Sequence, residues 1–212
     1  MNLLAVPVLA VLDPVFVPGP AVAAGLVLSV LIVGREPAPV DRRLGWAVAG
    51  LVPGTFLAVL LLAVVPASDL ALPTGVLVLV AVALSALRLD LAPDRVPLAL
   101  AGVASGFLAT AASIGGPPLA LVYAKAHGPR LRTNLSAFFV VAAVVALVGL
   151  IASGHFGLSA WRASAVLVPG VVLGFLASGP LRPVVDRGRT RPAVLSLSAV
   201  AGVVAIVQGL SG

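Results

Sequence analysis

The segment Ile114-Gly115-Gly116-Pro117-Pro118 interrupts an apolar run, Pro97–Ala126, and is where this sequence offers chemistry. Two glycines weaken a helix, and two prolines remove amide donors and clash with the preceding turn. The run is therefore expected to form two half-helices, about Leu98–Ser113 and Pro118–Ala126, that meet within apolar surroundings. The free N–H groups and the macrodipole at a helix N-terminus present about half a positive charge. An anion at Gly115-Gly116-Pro117 can then be received by backbone amides, with no buried Lys or Arg, and glycine allows close approach. Thr110 and Ser113 add hydroxyl donors, and Asn134 adds an amide beside the next helix start. Each dipole contributes only about 0.3–2 kcal/mol. Binding of that strength suits a solute that must be released again.

Plainer readings stand beside each of these. The Gly-Gly-Pro-Pro break can be a structural kink, which membrane helices tolerate. Thr110 and Ser113 can bond to their own helix or to a neighbour, and Asn134 can be an N-terminal cap. His127 and His155 fall in expected loops, where solvation is the simpler role. The absence of cysteine excludes disulfides, iron–sulfur clusters and thiol nucleophiles. With two histidines and seven acidic residues, almost all between the apolar runs, neither a metal nor another cofactor is expected. Ser105-Gly106 has a superficial likeness to a membrane serine protease, but neither histidine falls in an apolar run. No pair of intramembrane aspartates occurs, so no enzyme is expected. ATP drive is not expected either, because the chain has no Gly-x-x-x-x-Gly-Lys-Ser/Thr loop.

The elements that must hold this segment follow from composition. Of 212 residues 61% are hydrophobic and 9% charged, against roughly 25% charged in a soluble domain. A chain so poor in charge cannot cover itself for water, so its apolar surface must face the lipid bilayer. The net charge of +6 lies in short basic clusters between apolar runs, without aromatic interleaving. That distribution is positive-inside anchoring, and nucleic acid is not an expected partner. Apolar runs occupy Ala21–Gly34, Leu44–Val65, Pro73–Leu87, Pro97–Ala126, Thr133–Ala152, Ala160–Gly179 and Pro192–Leu210. In lipid each must satisfy its own backbone hydrogen bonds, so each is expected to be helical despite abundant valine. Trp46 and Trp161 read as interfacial anchors. Gly50 to Gly54 and Gly170 to Gly174 read as helix-packing contacts.

Charge placement decides whether the two half-helices cross or return. If they return as a re-entrant hairpin, twelve of the thirteen Lys and Arg residues lie on one face and only Arg162 on the other. If they cross once, the division becomes six against seven. A strong bias toward the cytoplasm is the norm, which favours the hairpin. The chain also repeats itself: Leu51-Val52-Pro53-Gly54 recurs as Leu167-Val168-Pro169-Gly170, each after a tryptophan. With the hairpin in place, the charge-rich loops of one half match charge-poor loops of the other. The halves, 1–90 and 91–212, are then upside down relative to each other within one integral membrane domain, a common transporter arrangement. This repeat predicts a counterpart of Leu98–Gly116 upstream of Met1, so the first half is expected to be N-terminally shortened, through a late start or as a real variant. The expected fold class is an all-α polytopic membrane protein of two inverted repeats, each a re-entrant half-helix hairpin plus three transmembrane helices.

The segment Gly106-Phe107-Leu108-Ala109-Thr110-Ala111-Ala112-Ser113-Ile114-Gly115-Gly116-Pro117-Pro118, followed by Arg132-Thr133 before Phe138-Phe139, resembles the second-half signature of the TauE/SafE family. Leu4-Ala5-Val6-Pro7 resembles the stretch after that family's first-half glycine-rich motif, which itself has no match here. The resemblance implies a multi-pass transporter of the inner (plasma) membrane. Its substrate would be sulfite, an organosulfonate or a related small sulfur anion. The candidate substrate site comprises Thr110, Ser113, Gly115, Gly116, Pro117, Thr133 and Asn134. A second copy of the chain is an admissible partner. The rival function is a non-transporting membrane scaffold or assembly partner.

Overall fold

The computed structural model describes residues 5–6, 8–9, 12–35, 39–65, 71–87, 91–123, 128–178, 196, 198–200, 202–204 and 206–207. Lys125, His127 and the basic cluster Arg182–Arg191 lie outside the described residues. Seven α-helices are described with their bounds: α1 Gly19–Arg35, α2 Leu44–Val64, α3 Ala71–Ala86, α4 Arg95–Ala112, α5 Gly116–Val122, α6 Gly128–Ala152 and α7 Leu158–Ala177. A 3-10 turn at Pro14–Phe16 precedes α1, and helical residues also occur among positions 5–12 and 196–207. No strand occurs among the described residues. Where they are described, the apolar runs are helical, as the lack of any alternative backbone partner in hydrocarbon requires. The runs ending at Ala126 and Leu210 lie partly outside the described residues.

Four of these helices, α2, α4, α6 and α7, are long and apolar enough to cross a membrane. Their outward faces are apolar. Phe56, Val64, Leu100, Val148, Val166 and Leu173 are among the exposed side chains. A water-facing surface rarely carries so continuous an apolar coat. The protein is an all-helical polytopic membrane protein.

The tightest packing lies between α2 and α4, which run parallel. Gly50 and Gly54 of α2 lie against the backbones of Ala99 and Val103, while Gly102 and Gly106 of α4 lie against those of Ala47 and Leu51. Two small-residue motifs spaced by four thus interlock, each glycine admitting the other helix's main chain. Without a hydrophobic force between helices in lipid, such close approach is what holds them together. The hydroxyl of Thr110 donates to that of Thr55 across the same seam (3.3 Å).

Between α4 and α5 the chain doubles back. Leu98 and Ala101, near the start of α4, share a core cluster with Leu119, Val122 and Tyr123 of the returning segment. Both outer ends of the pair also meet the start of α2: Arg43 pairs with Asp94 (3.9 Å), Arg95 lies over the Trp46 ring, and the Tyr123 hydroxyl reaches Asp41 (3.5 Å). The turn lies at the other end of the molecule, where Ser113 donates to the carbonyl of Pro18 just before α1 (2.7 Å).

The remaining helices frame this hairpin. α1 packs on α6 and α7, and α6 packs on α2. Arg35 at the end of α1 donates to the Phe175 carbonyl near the end of α7 (3.2 Å), so these two helices are parallel. Phe156, in the turn after α6, closes over Gly19 at the start of α1, so α6 runs against them. Arg35, Arg43 and Arg95 therefore gather at one end, while Trp161 and Arg162 open α7 at the other.

Candidate functional site

The hairpin turn is built by a serine and two glycines with different tasks. α4 stops at Ser113, whose φ of 57° is left-handed, a conformation costing an L-residue roughly 1–2 kcal/mol. The backbone closes over the helix end, with Ser113 N donating to Ala109 O (2.9 Å) and Ile114 N to Leu108 O (3.1 Å). The serine hydroxyl's bond to Pro18 holds the turn against the start of α1. Gly115 follows in tight contact with α4. A side-chain carbon there would come within 2.7 Å of Ala109 Cβ and 2.8 Å of Ser105 O. At Gly116 the same carbon would sit 3.6 Å from Phe139 Cζ, an ordinary contact.

α5 then begins at Gly116, two residues earlier than the prolines suggested from sequence. Proline is well accommodated in the first turn of a helix, where its missing N–H is not needed, so Pro117 joins Pro118 inside the first turn of α5. Two consequences follow for anion binding. α5 has only seven residues, too few to build much dipole. Of its first four positions only Gly116 and Leu119 carry an N–H. Backbone amides at the break are therefore fewer than a generic helix start would provide.

A cavity of about 340 Å³ opens beside this turn. Its floor is Ser113, Ile114, Gly115, Gly116 and Pro117, backed by Ala109; α1 contributes Val22, Gly25, Leu28, Ser29 and Ile32. The opposite wall is one face of α6: Arg132, Leu135, Ser136, Phe139, Ala142 and Ala143. The spacing of these α6 residues is that of a single helical face. Much of the lining is aliphatic. Among the described wall residues Arg132 is the one charged side chain, and it is half-buried.

The residues singled out from sequence divide into two groups. Ser113, Gly115, Gly116 and Pro117 come together in the cavity wall. Thr110, Thr133 and Asn134 are not among the lining residues. Thr110 is fully buried and bonded to Thr55, and Thr133 is buried within α6. Asn134 Oδ1 accepts the backbone N–H of Asp41 (2.7 Å), which fastens the α1–α2 loop to α6. Of the histidines, His155 lies in the turn between α6 and α7, with Nδ1 3.1 Å from Ser153 Oγ.

Sequence reading missed Arg132, Ser29, Ser136 and Phe139 as wall residues. For α6 a signal existed: Arg132, Leu135, Ser136 and Phe139 stand at i, i+3, i+4 and i+7, the mark of one face. Nothing in the sequence identified which helix that face would meet.

A family model described as sulfite exporter TauE/SafE matches residues 1–205 of the chain. No curated protein and no solved structure matches it. The family match covers nearly the whole chain, which therefore belongs to the sulfite exporter TauE/SafE family.

Proposed function

We propose that this protein carries a small sulfur oxyanion, such as sulfite or an organosulfonate, across the inner (plasma) membrane as a multi-pass transporter. The observation that carries this reading is the cavity of about 340 Å³ enclosed by the hairpin turn, α1 and α6. Its size suits a small solute, and it sits where a broken helix leaves backbone open to a ligand, as transporter sites commonly do. Ser113, Gly115, Gly116 and Pro117 form the floor of the substrate site, while Thr110, Thr133 and Asn134 hold the surrounding helices in place. A non-transporting scaffold has no use for such a cavity, and membership of an exporter family does not favour it.

The doubled-back α4–α5 pair acts as a re-entrant hairpin entering the bilayer from the arginine-rich end. Residues 1–90 and 91–212 are the two inverted repeats. Under the correspondence of Leu51–Gly54 with Leu167–Gly170, α1 matches α6 and α2 matches α7. The packing of α1 on α7 is then mirrored by that of α6 on α2, as described above. Such mirrored contacts are what a two-fold axis in the membrane plane produces.

Reconstitution tests the reading. Proteoliposomes holding the purified chain are expected to take up sulfite at a saturable rate, well above empty liposomes, with competition from organosulfonates. Uptake no faster than in empty liposomes would remove the transporter reading.

A further inference from the structure

We infer that the hydroxyl of Ser136 on α6 donates a hydrogen bond to an oxygen of the transported oxyanion, which makes Ser136 a substrate-binding residue of the cavity. The inference rests on the transporter reading above and names the side chain that touches the solute.

A serine inside a helix commonly spends its hydroxyl on the carbonyl one turn earlier. Two serines of this protein do so: Ser29 donates to Gly25 O (2.8 Å) and Ser164 to Ala160 O (2.7 Å). Ser136 has the Arg132 carbonyl at the same spacing but forms no such bond. It is only 5% exposed, and its hydroxyl has no partner among the described residues. Buried polar groups are ordinarily paired. The hydroxyls of Ser105 and Ser198 also lack partners, but their oxygens are shut off from any open space. The Ser136 oxygen is not shut off in this way, and the residue lines the cavity. A buried donor left unspent and open to a cavity is suited to a ligand.

The other polar groups of the wall are already engaged. Ser113 donates to Pro18 O, Ser29 to its own helix, and Arg132 has an interaction of its own. Pro117 lines the floor but has no N–H to offer. The oxygens of an oxyanion accept hydrogen bonds, and a serine hydrogen rotates to meet them. Such a bond to a charged acceptor is stronger than a neutral pair, while an uncharged donor still lets the solute leave.

Position fits the role as well. Ser136 follows Asn134, which is tied to Asp41 at the arginine-rich end. It precedes by one turn Phe139, the ring that lies beside Gly116 at the hairpin turn. A solute bonded to Ser136 is therefore held between α6 and the glycines of the turn.

Sulfite uptake by proteoliposomes holding the whole chain tests this. Ser136→Ala is expected to raise the half-saturating sulfite concentration about tenfold, the usual consequence of losing a hydrogen bond to a charged group. The maximal rate should change little, the signature of a lost binding contact. Thermal stability should not fall, because no bond within the protein is broken. Ser136→Cys keeps the shape but offers only a weak donor, and is expected to show the same rise. It decides the matter if the alanine variant does not insert. Ser164→Ala, which removes a buried hydroxyl outside the cavity, is expected to leave half-saturation unchanged.

Unchanged half-saturation in the Ser136 variants, or a fall in maximal rate alone, would overturn the inference and leave the transporter reading intact. Absence of uptake by the unmodified protein would overturn both.

Discussion

Gly54→Leu is expected to destabilise the fold severely, while Gly170→Leu, at the matching position of the repeated Leu-Val-Pro-Gly motif, is expected to be tolerated. The sequence context is the same and the surroundings are opposite. A carbon added at Gly54 runs into the main chain of Val103 and Phe107, whereas nothing lies within 4 Å of one added at Gly170 among the described residues. Overpacking typically costs about 1–3 kcal/mol. At Gly54 the obstacle is backbone, which cannot rotate away, so the cost is expected at or above the top of that range. Separating α2 from α4 also parts Gly50 from Ala99 and Gly102 from Ala47, since one register serves all of these contacts. Thermal unfolding of the two variants in detergent checks this. Equal midpoints would contradict the interlocked-glycine account.

Gly116→Leu is expected to reduce sulfite uptake to the level of empty liposomes while leaving insertion and thermal stability close to those of the unmodified chain. Among the described residues only the Phe139 ring lies within 4 Å of a carbon added at Gly116, and at ordinary contact distance. The rest of a leucine side chain must therefore extend into the cavity that both residues line. Gly115 has no such freedom. Its added carbon meets Ala109 and the Ser105 carbonyl, so Gly115→Ala is expected to disturb the hairpin turn itself and lower stability. The two adjacent glycines thus separate blocked transport from damaged folding. Full uptake by a folded Gly116→Leu protein would remove the cavity from the transport path.

Much of the fold was readable because lipid leaves the backbone few choices. Apolar runs had to become helices, and Pro, Gly and Arg marked their ends to within a few residues, apart from the start of α6. Charge counting favoured a return at the Gly-Gly-Pro-Pro break, and α5 does pack back on the start of α4. Packing partners were less accessible. Gly50 and Gly54 carry a packing signal, but nothing in the sequence marks Gly102 and Gly106 as their counterparts, because inside an apolar run any small residue looks alike. Gly170 and Gly174 carried the same signal as Gly54 and proved open among the described residues. A spacing motif states that a helix can be approached, not that one approaches.

The site was half readable for the same reason. A broken helix announces itself through its glycines and prolines, so the segment from Ser113 to Pro117, which lines the cavity, was legible. Thr110 and Asn134 looked like donors because both are polar in an apolar chain. In the structure Thr110 donates to Thr55 and Asn134 accepts from the Asp41 backbone, partners 55 and 93 residues away. Arg132 was noticed as part of a family signature and as an anchor, but its place in the cavity wall depends on how α6 is rotated against α1.

The central claim is that α4 and α5 enter and leave at the same end of the molecule, and single-cysteine labelling tests it most directly. Arg95→Cys and Arg162→Cys are both at exposed positions, and the absence of native cysteine leaves no background. With a membrane-impermeant maleimide, Arg162→Cys is expected to react in intact cells, and Arg95→Cys only in inverted membrane vesicles. Reaction of both from the same side of the membrane would mean that the chain crosses once at the Gly-Gly-Pro-Pro break, and the hairpin with its cavity would have to be abandoned.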